Sequence, residues 1–70
     1  MIDELDKLLN DPKWGADAMK VLDFCAEPRS PMDLMTKCRT KRDVFDVLVK
    51  LKNIGEIVFA DGKYARKLVK

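Results

Sequence analysis

Residues 40–68, TKRDVFDVLVKLKNIGEIVFADGKYARKL, decide the fold: they read as a capped amphipathic helix that stops at a glycine and turns at once into a β-hairpin. Thr40, with Asp43 three residues later, resembles a capping box in which aspartate stands in for the usual glutamate. Val44, Val47, Leu48 and Leu51 then recur at helical spacing and form a stripe that faces a core. Gly55 stands where a left-handed residue closes a helix, after a last turn containing Lys50 and Lys52, and Ile54 supplies the adjoining apolar contact. Beyond it, residues 56–60 and 63–68 flank Asp61-Gly62, a dipeptide that accepts the positive φ angles of a type I′ turn. That two-residue loop sets Phe59 opposite Tyr64, Val58 opposite Ala65 and Glu56 opposite Lys67. A lone two-stranded ribbon is unstable in water, so Ile57, Phe59, Tyr64 and Leu68, on one face by period two, are expected to fold back over the helices.

Upstream, three further helices are expected. Ile2, Leu5, Leu8 and Leu9 form an apolar stripe with Asp3, Glu4 and Asp6 near the positive end of the helix dipole, and Asn10-Asp11-Pro12 ends it. A second helix runs over residues 14–26, burying Ala18, Val21, Leu22 and Cys25, with Trp14 as a large packing residue at its start. Residues 27–29 are the connection. Ser30, Pro31 and Asp33 supply an N-cap hydroxyl, a proline at the first helical position and an acid three residues after the cap. The third helix extends to about Cys38, with Met32, Leu34, Met35 and Cys38 available for packing. Only Arg39 and Thr40 separate it from the fourth. The expected fold is a single mostly α domain: an N-terminal helix within residues 1–10, a helical core over 14–54 and a C-terminal β-hairpin over 56–69.

Seventy residues make one small domain, near the size at which a single core is only just sufficient, so self-association or a partner is a reasonable expectation. Apolar residues make up 47% of the chain and charged residues 37%, in mixed order, which points to a folded protein rather than a disordered one. Apolar runs are only a few residues long and no N-terminal hydrophobic region suggests secretion, so a cytoplasmic location without a membrane span is expected. Two cysteines, Cys25 and Cys38, without any histidine, fall short of the four-ligand set of a structural zinc site within one chain. Each ends a helical apolar stripe and reads as a small buried hydrophobe. No metal or other cofactor is expected. The formal net charge of +2 conceals an asymmetry. Residues 1–33 hold eight acids and four bases, whereas residues 34–70 hold four acids and ten bases, a one-sided positive field suited to a polyanion.

From Ser30 to Leu68 the chain resembles a winged helix-turn-helix, in which a short helix, a turn and a recognition helix precede a β-hairpin wing, here with an extra short N-terminal helix. The residues carrying the resemblance are Ser30-Pro31, Arg39-Thr40, the series Val44, Val47, Leu48, Leu51, Gly55 and Ile57, and the wing turn Asp61-Gly62. It implies binding of double-stranded DNA by a small transcriptional regulator, with the fourth helix in the major groove and the wing on the backbone. Mapped onto this chain, Lys41 and Arg42 would hold a phosphate with the free amides of the first helical turn, or Arg42 would reach a guanine edge. Lys37, Arg39 and Thr40 would lie along the flanking backbone, Lys50 on the exposed helix face, and Lys63, Arg66 and Lys67 along the wing.

Other residues of the same face point elsewhere. Asp43 and Asp46 would repel phosphates unless paired, and Asp46 stands four residues before Lys50 in the favourable orientation for an ion pair. Phe45 and Val49 form an apolar strip that either joins the core or binds a protein partner. The competing reading is therefore a protein-interaction winged helix, a subunit or adaptor of a larger assembly. For the DNA reading a homodimer is expected, because one short recognition helix makes few contacts, and Ile2, Leu5 and Leu9 are the expected dimer surface. An enzyme is disfavoured: there is no histidine, no glycine-rich phosphate loop and no G-x-S-x-G elbow.

Overall fold

The computed structural model describes residues 3–67; Ile2 and Leu68, both part of the expectations above, lie outside the described residues. Four helices, α1 (Glu4–Leu9), α2 (Gly15–Phe24), α3 (Pro31–Lys37) and α4 (Val44–Asn53), precede an antiparallel hairpin of β1 (Ile57–Ala60) and β2 (Lys63–Arg66). No helix among the described residues is long and apolar enough to cross a membrane.

The local signals at the C-terminal end work as the sequence implies. Gly55 adopts a φ of 83°, its amide donates to the Lys52 carbonyl at 3.0 Å, and the Glu56 amide donates to the Leu51 carbonyl at 3.0 Å. Those two bonds are a Schellman motif, and they satisfy carbonyls that the last turn of α4 leaves open. Asp61 and Gly62 have φ of 54° and 75°, as both central positions of a type I′ turn require. The register places Phe59 opposite Tyr64 and Val58 opposite Ala65, and the Lys67 amide donates to the Glu56 carbonyl at 2.8 Å.

Arg29 extends this hairpin into a third strand position. Its amide donates to the Tyr64 carbonyl at 2.8 Å and its carbonyl accepts from the Tyr64 amide at 2.7 Å. One residue of the connection between α2 and α3 thus covers the free edge of β2. The Arg66 amide donates to the Cys25 carbonyl at 2.8 Å, which ties the hairpin to the end of α2.

Ala18, Val21, Leu22 and Cys25 from α2, Leu34 from α3, Val44, Val47, Leu48 and Leu51 from α4, with Cys38 and Ile57, make one buried core. Ile57 is the hairpin's buried anchor, whereas Phe59 remains 48% exposed and packs in a tilted arrangement on Tyr64, ring centroids 4.6 Å apart. Both cysteines are buried free thiols. Burial pushes the Cys25 thiol up to about 11 and raises that of Cys38, so neither supplies a thiolate nucleophile at neutral pH. On α3 only Leu34 is buried; Met32 and Met35, expected to pack, are exposed.

α1 docks on the chain's own core. Asp3 caps it, accepting from the Leu5 amide, and Leu5, Leu8 and Leu9 pack half-buried against the core. The approach is close at Gly15, where an added Cβ would stand 2.2 Å from the Leu9 carbonyl oxygen. Gly15→Ala should therefore displace α1 and cost about 1–3 kcal/mol, the usual cost of overpacking a tight contact. Urea unfolding followed by circular dichroism checks this; an unchanged midpoint would mean that α1 does not seat on α2.

Candidate functional site

The segment between α3 and α4 differs most from expectation, and its difference bears on the site. α4 begins at Val44, and the cap is Asp43, whose carboxylate accepts from the Phe45 amide at 2.9 Å. Thr40 does not cap the helix; its hydroxyl donates to the Arg42 carbonyl inside the loop. Residues 38–43 therefore form a loop rather than a tight two-residue turn, and Lys41 and Arg42 precede the helix instead of opening it.

That loop is held from 24 residues away. Asp17, in the first turn of α2 and only 2% exposed, accepts from the Lys41 amide through Oδ1 and from the Arg42 amide through Oδ2, both at 3.0 Å. Expectation placed a phosphate on free amides near Lys41 and Arg42. These two amides are already occupied by a carboxylate of the chain itself. The Lys41 amide is the main cause that holds the Asp17 carboxyl below its usual range; burial opposes it, and the Arg42 amide and the charges of Lys20 and Lys41 assist it. Lys20 adds a second tie, its ammonium donating to the Arg39 carbonyl at 3.2 Å.

Asp17 was missed from the sequence, yet a signal existed. It lies four residues before Val21 on the same stripe, an acid where the pattern calls for an apolar residue. An acid on a buried stripe needs donors, and it finds them in a loop whose own amides lack acceptors.

The side chains of the loop point outward. Lys37, Arg39, Lys41 and Arg42 are exposed, as are Lys63, Arg66 and Lys67 on the hairpin, whereas Thr40 is half-buried. Two ion pairs occur among the described residues: Lys37 with Asp33 at 3.6 Å and Arg29 with Glu27 at 3.7 Å. The expected pair of Asp46 with Lys50 is not among them. Lys50 swings to α2 instead, its ammonium 4.5 Å from the centroid of the Trp14 ring, and the Arg42 guanidinium lies 4.7 Å from the same centroid. Lys37 and Arg39 line a shallow groove of about 600 Å³ with Lys20 and Arg29, Asp23 being its one acid.

The outer face of α4 is divided. Phe45 is half-buried and packs against the core, while Val49 is 55% exposed and Asp46 is exposed. Leu5 and Leu9, the expected dimer surface, are used at least in part by the chain's own core. No group of three or more metal-ligating side chains occurs among the described residues. Searches of protein-family models, curated proteins and solved structures gave no match to this chain.

Proposed function

We propose that the chain is a winged-helix domain that binds double-stranded DNA as a small regulator, gripping the phosphate backbone with the loop before α4 and with the hairpin wing. The observation that carries this reading is the set of exposed cations Arg39, Lys41, Arg42, Lys63, Arg66 and Lys67, none of them in an ion pair among the described residues. Lys37 adds to the set, its exposed pair with Asp33 being of the weak kind that a phosphate displaces readily. The order helix, Arg29 strand position, helix, helix and hairpin supports the winged-helix assignment.

Such binding depends on counterion release, so affinity falls steeply with salt. A random duplex should be retarded at low salt and released as salt rises. Arg42→Ala should weaken binding by ~1–3 kcal/mol, whereas Lys13→Ala, in the acidic half, should leave it unchanged. No retardation at low salt, or equal effects of the two substitutions, would overturn the reading.

The exposed Val49 and unpaired Asp46 favour a second reading, in which the outer face of α4 meets a protein while the loop and wing hold DNA. In that case Val49→Ser would abolish partner capture and spare duplex binding.

A further inference from the structure

Trp14 gathers two like charges. Arg42, from the loop before α4, and Lys50, from the middle of α4, both set their cationic groups over the ring of this single tryptophan at the start of α2. Each charge lies within 4.7 Å of one centroid, so the two are closer together than the roughly 10 Å Debye length at 0.1 M salt and repel each other. Four carboxylates lie near in sequence, and none forms an ion pair with the Arg42 or Lys50 side chain among the described residues. Asp43 caps α4, Asp11 accepts from the Lys13 and Trp14 amides at 2.7 and 3.1 Å, and Asp46 has no pair among the described residues. The backbone of Arg42 is fixed from behind by buried Asp17. Two exposed cations are thus preset at one ring, the Arg42 backbone held by Asp17, and neither side chain is in an ion pair among the described residues.

We infer that Trp14, Arg42 and Lys50 form a preorganised clamp for a phosphate group, with Arg42 and Lys50 as its ligands and Trp14 as the positioning residue. The inference deepens the DNA reading and rests on it for the source of the phosphate: a phosphodiester of the duplex backbone. It moves Lys50 from a helix-face contact to a backbone contact and joins it to Arg42 on one phosphate, across the start of α2 and the loop and helix of α4. Cation–π attraction to the indole offsets part of the repulsion in the empty state, and an anion removes the rest.

The single tryptophan makes the clamp observable. Titration with a random duplex, exciting Trp14 selectively, should change its emission saturably with the same midpoint as gel retardation. Arg42→Met with Lys50→Met keeps the aliphatic stems and removes both charges; it should abolish that change and reduce the slope of log affinity against log salt by about 0.9, the share of one phosphate. Trp14→Leu leaves the charges in place, so it should weaken binding roughly tenfold while the salt slope stays at the wild-type value. Circular dichroism of each variant establishes that the helices are intact. Retardation with flat emission and a wild-type slope in the double variant would overturn the clamp and leave the DNA reading standing. No retardation at all would overturn the DNA reading, and inorganic phosphate would then decide the clamp alone. A saturable emission change that the double variant loses would support it, and none would end it.

Discussion

Leu34→Ala should lower stability by about 3 kcal/mol, within the range of 2–5 kcal/mol for deleting a buried leucine side chain. The expectation is specific to α3. This helix of seven residues has one buried side chain, Leu34, which is 0% exposed, while Met32 and Met35 face outward. So short a helix has little stability of its own and depends on that contact. At roughly 0.05–0.15 kcal/mol per residue, a chain of this size holds only about 4–10 kcal/mol in total, so the loss is a large fraction of it. In a thermal melt the shift should be on the order of 12–24 °C. Met35→Ala, at a residue 61% exposed, should stay within about 0.5 kcal/mol. Similar melts for the two variants would mean that α3 is held by its caps and flanks and not by Leu34.

The consequence reaches the site, because α3 delivers the chain into the loop that carries Arg39, Lys41 and Arg42. Cys38, the residue after α3, is buried and extended, so the loop starts from a fixed point in the core. On the proposed DNA reading, Leu34→Ala should therefore weaken duplex binding under conditions where the protein is still folded.

What was legible in the sequence was what short-range rules determine. The Schellman closure at Gly55, the Asp61-Gly62 turn and the hairpin register each depend on a few adjacent residues, and each forms as read. The Ser30-Pro31 start of α3 is of the same kind: the Ser30 hydroxyl accepts from the Asp33 amide at 3.2 Å. The misreadings share a cause, which is a long-range partner. Thr40 and Asp43 satisfy the spacing of a capping box, but Asp17 draws the Lys41 and Arg42 amides across to α2 and so starts the helix at Val44. Lys50 has a well-spaced acid in Asp46, and the indole of Trp14 takes it instead. Arg29 is one residue of strand, too short for any periodicity to reveal. Phe59 alternates correctly with Ile57, yet in β1 only Ile57 is buried while Tyr64 across from Phe59 packs half-buried on the core, so period two assigns the face but not the depth.

Asp17→Ala should have a similar cost, about 3 kcal/mol, since it strands two amides that now donate to a charged acceptor, and hydrogen bonds to charged groups contribute roughly 1.5–3 kcal/mol each. Asp17→Asn keeps the shape but only one acceptor oxygen, so it should cost less. The pH dependence follows from the lowered carboxyl. Its unfolded value is near 3.8 and its folded value lies below that, so the contribution is fully present above about pH 4 and is lost as pH falls through the folded value. In acid titrations followed by circular dichroism, wild type and Asp17→Asn should therefore differ most near neutrality and converge in acid. A constant gap would mean that the charge on Asp17 contributes nothing. Duplex binding separates the anchor from bulk electrostatics by sign. Removing a carboxylate raises the net charge by one above +2, and a simple field argument then predicts tighter binding. If Asp17 instead presets the loop, its loss frees Lys41 and Arg42 and adds an ordering cost to every binding event. Measured where both proteins are folded, Asp17→Asn should bind duplex more weakly than wild type despite its greater positive charge, and tighter binding would show that the loop needs no anchor.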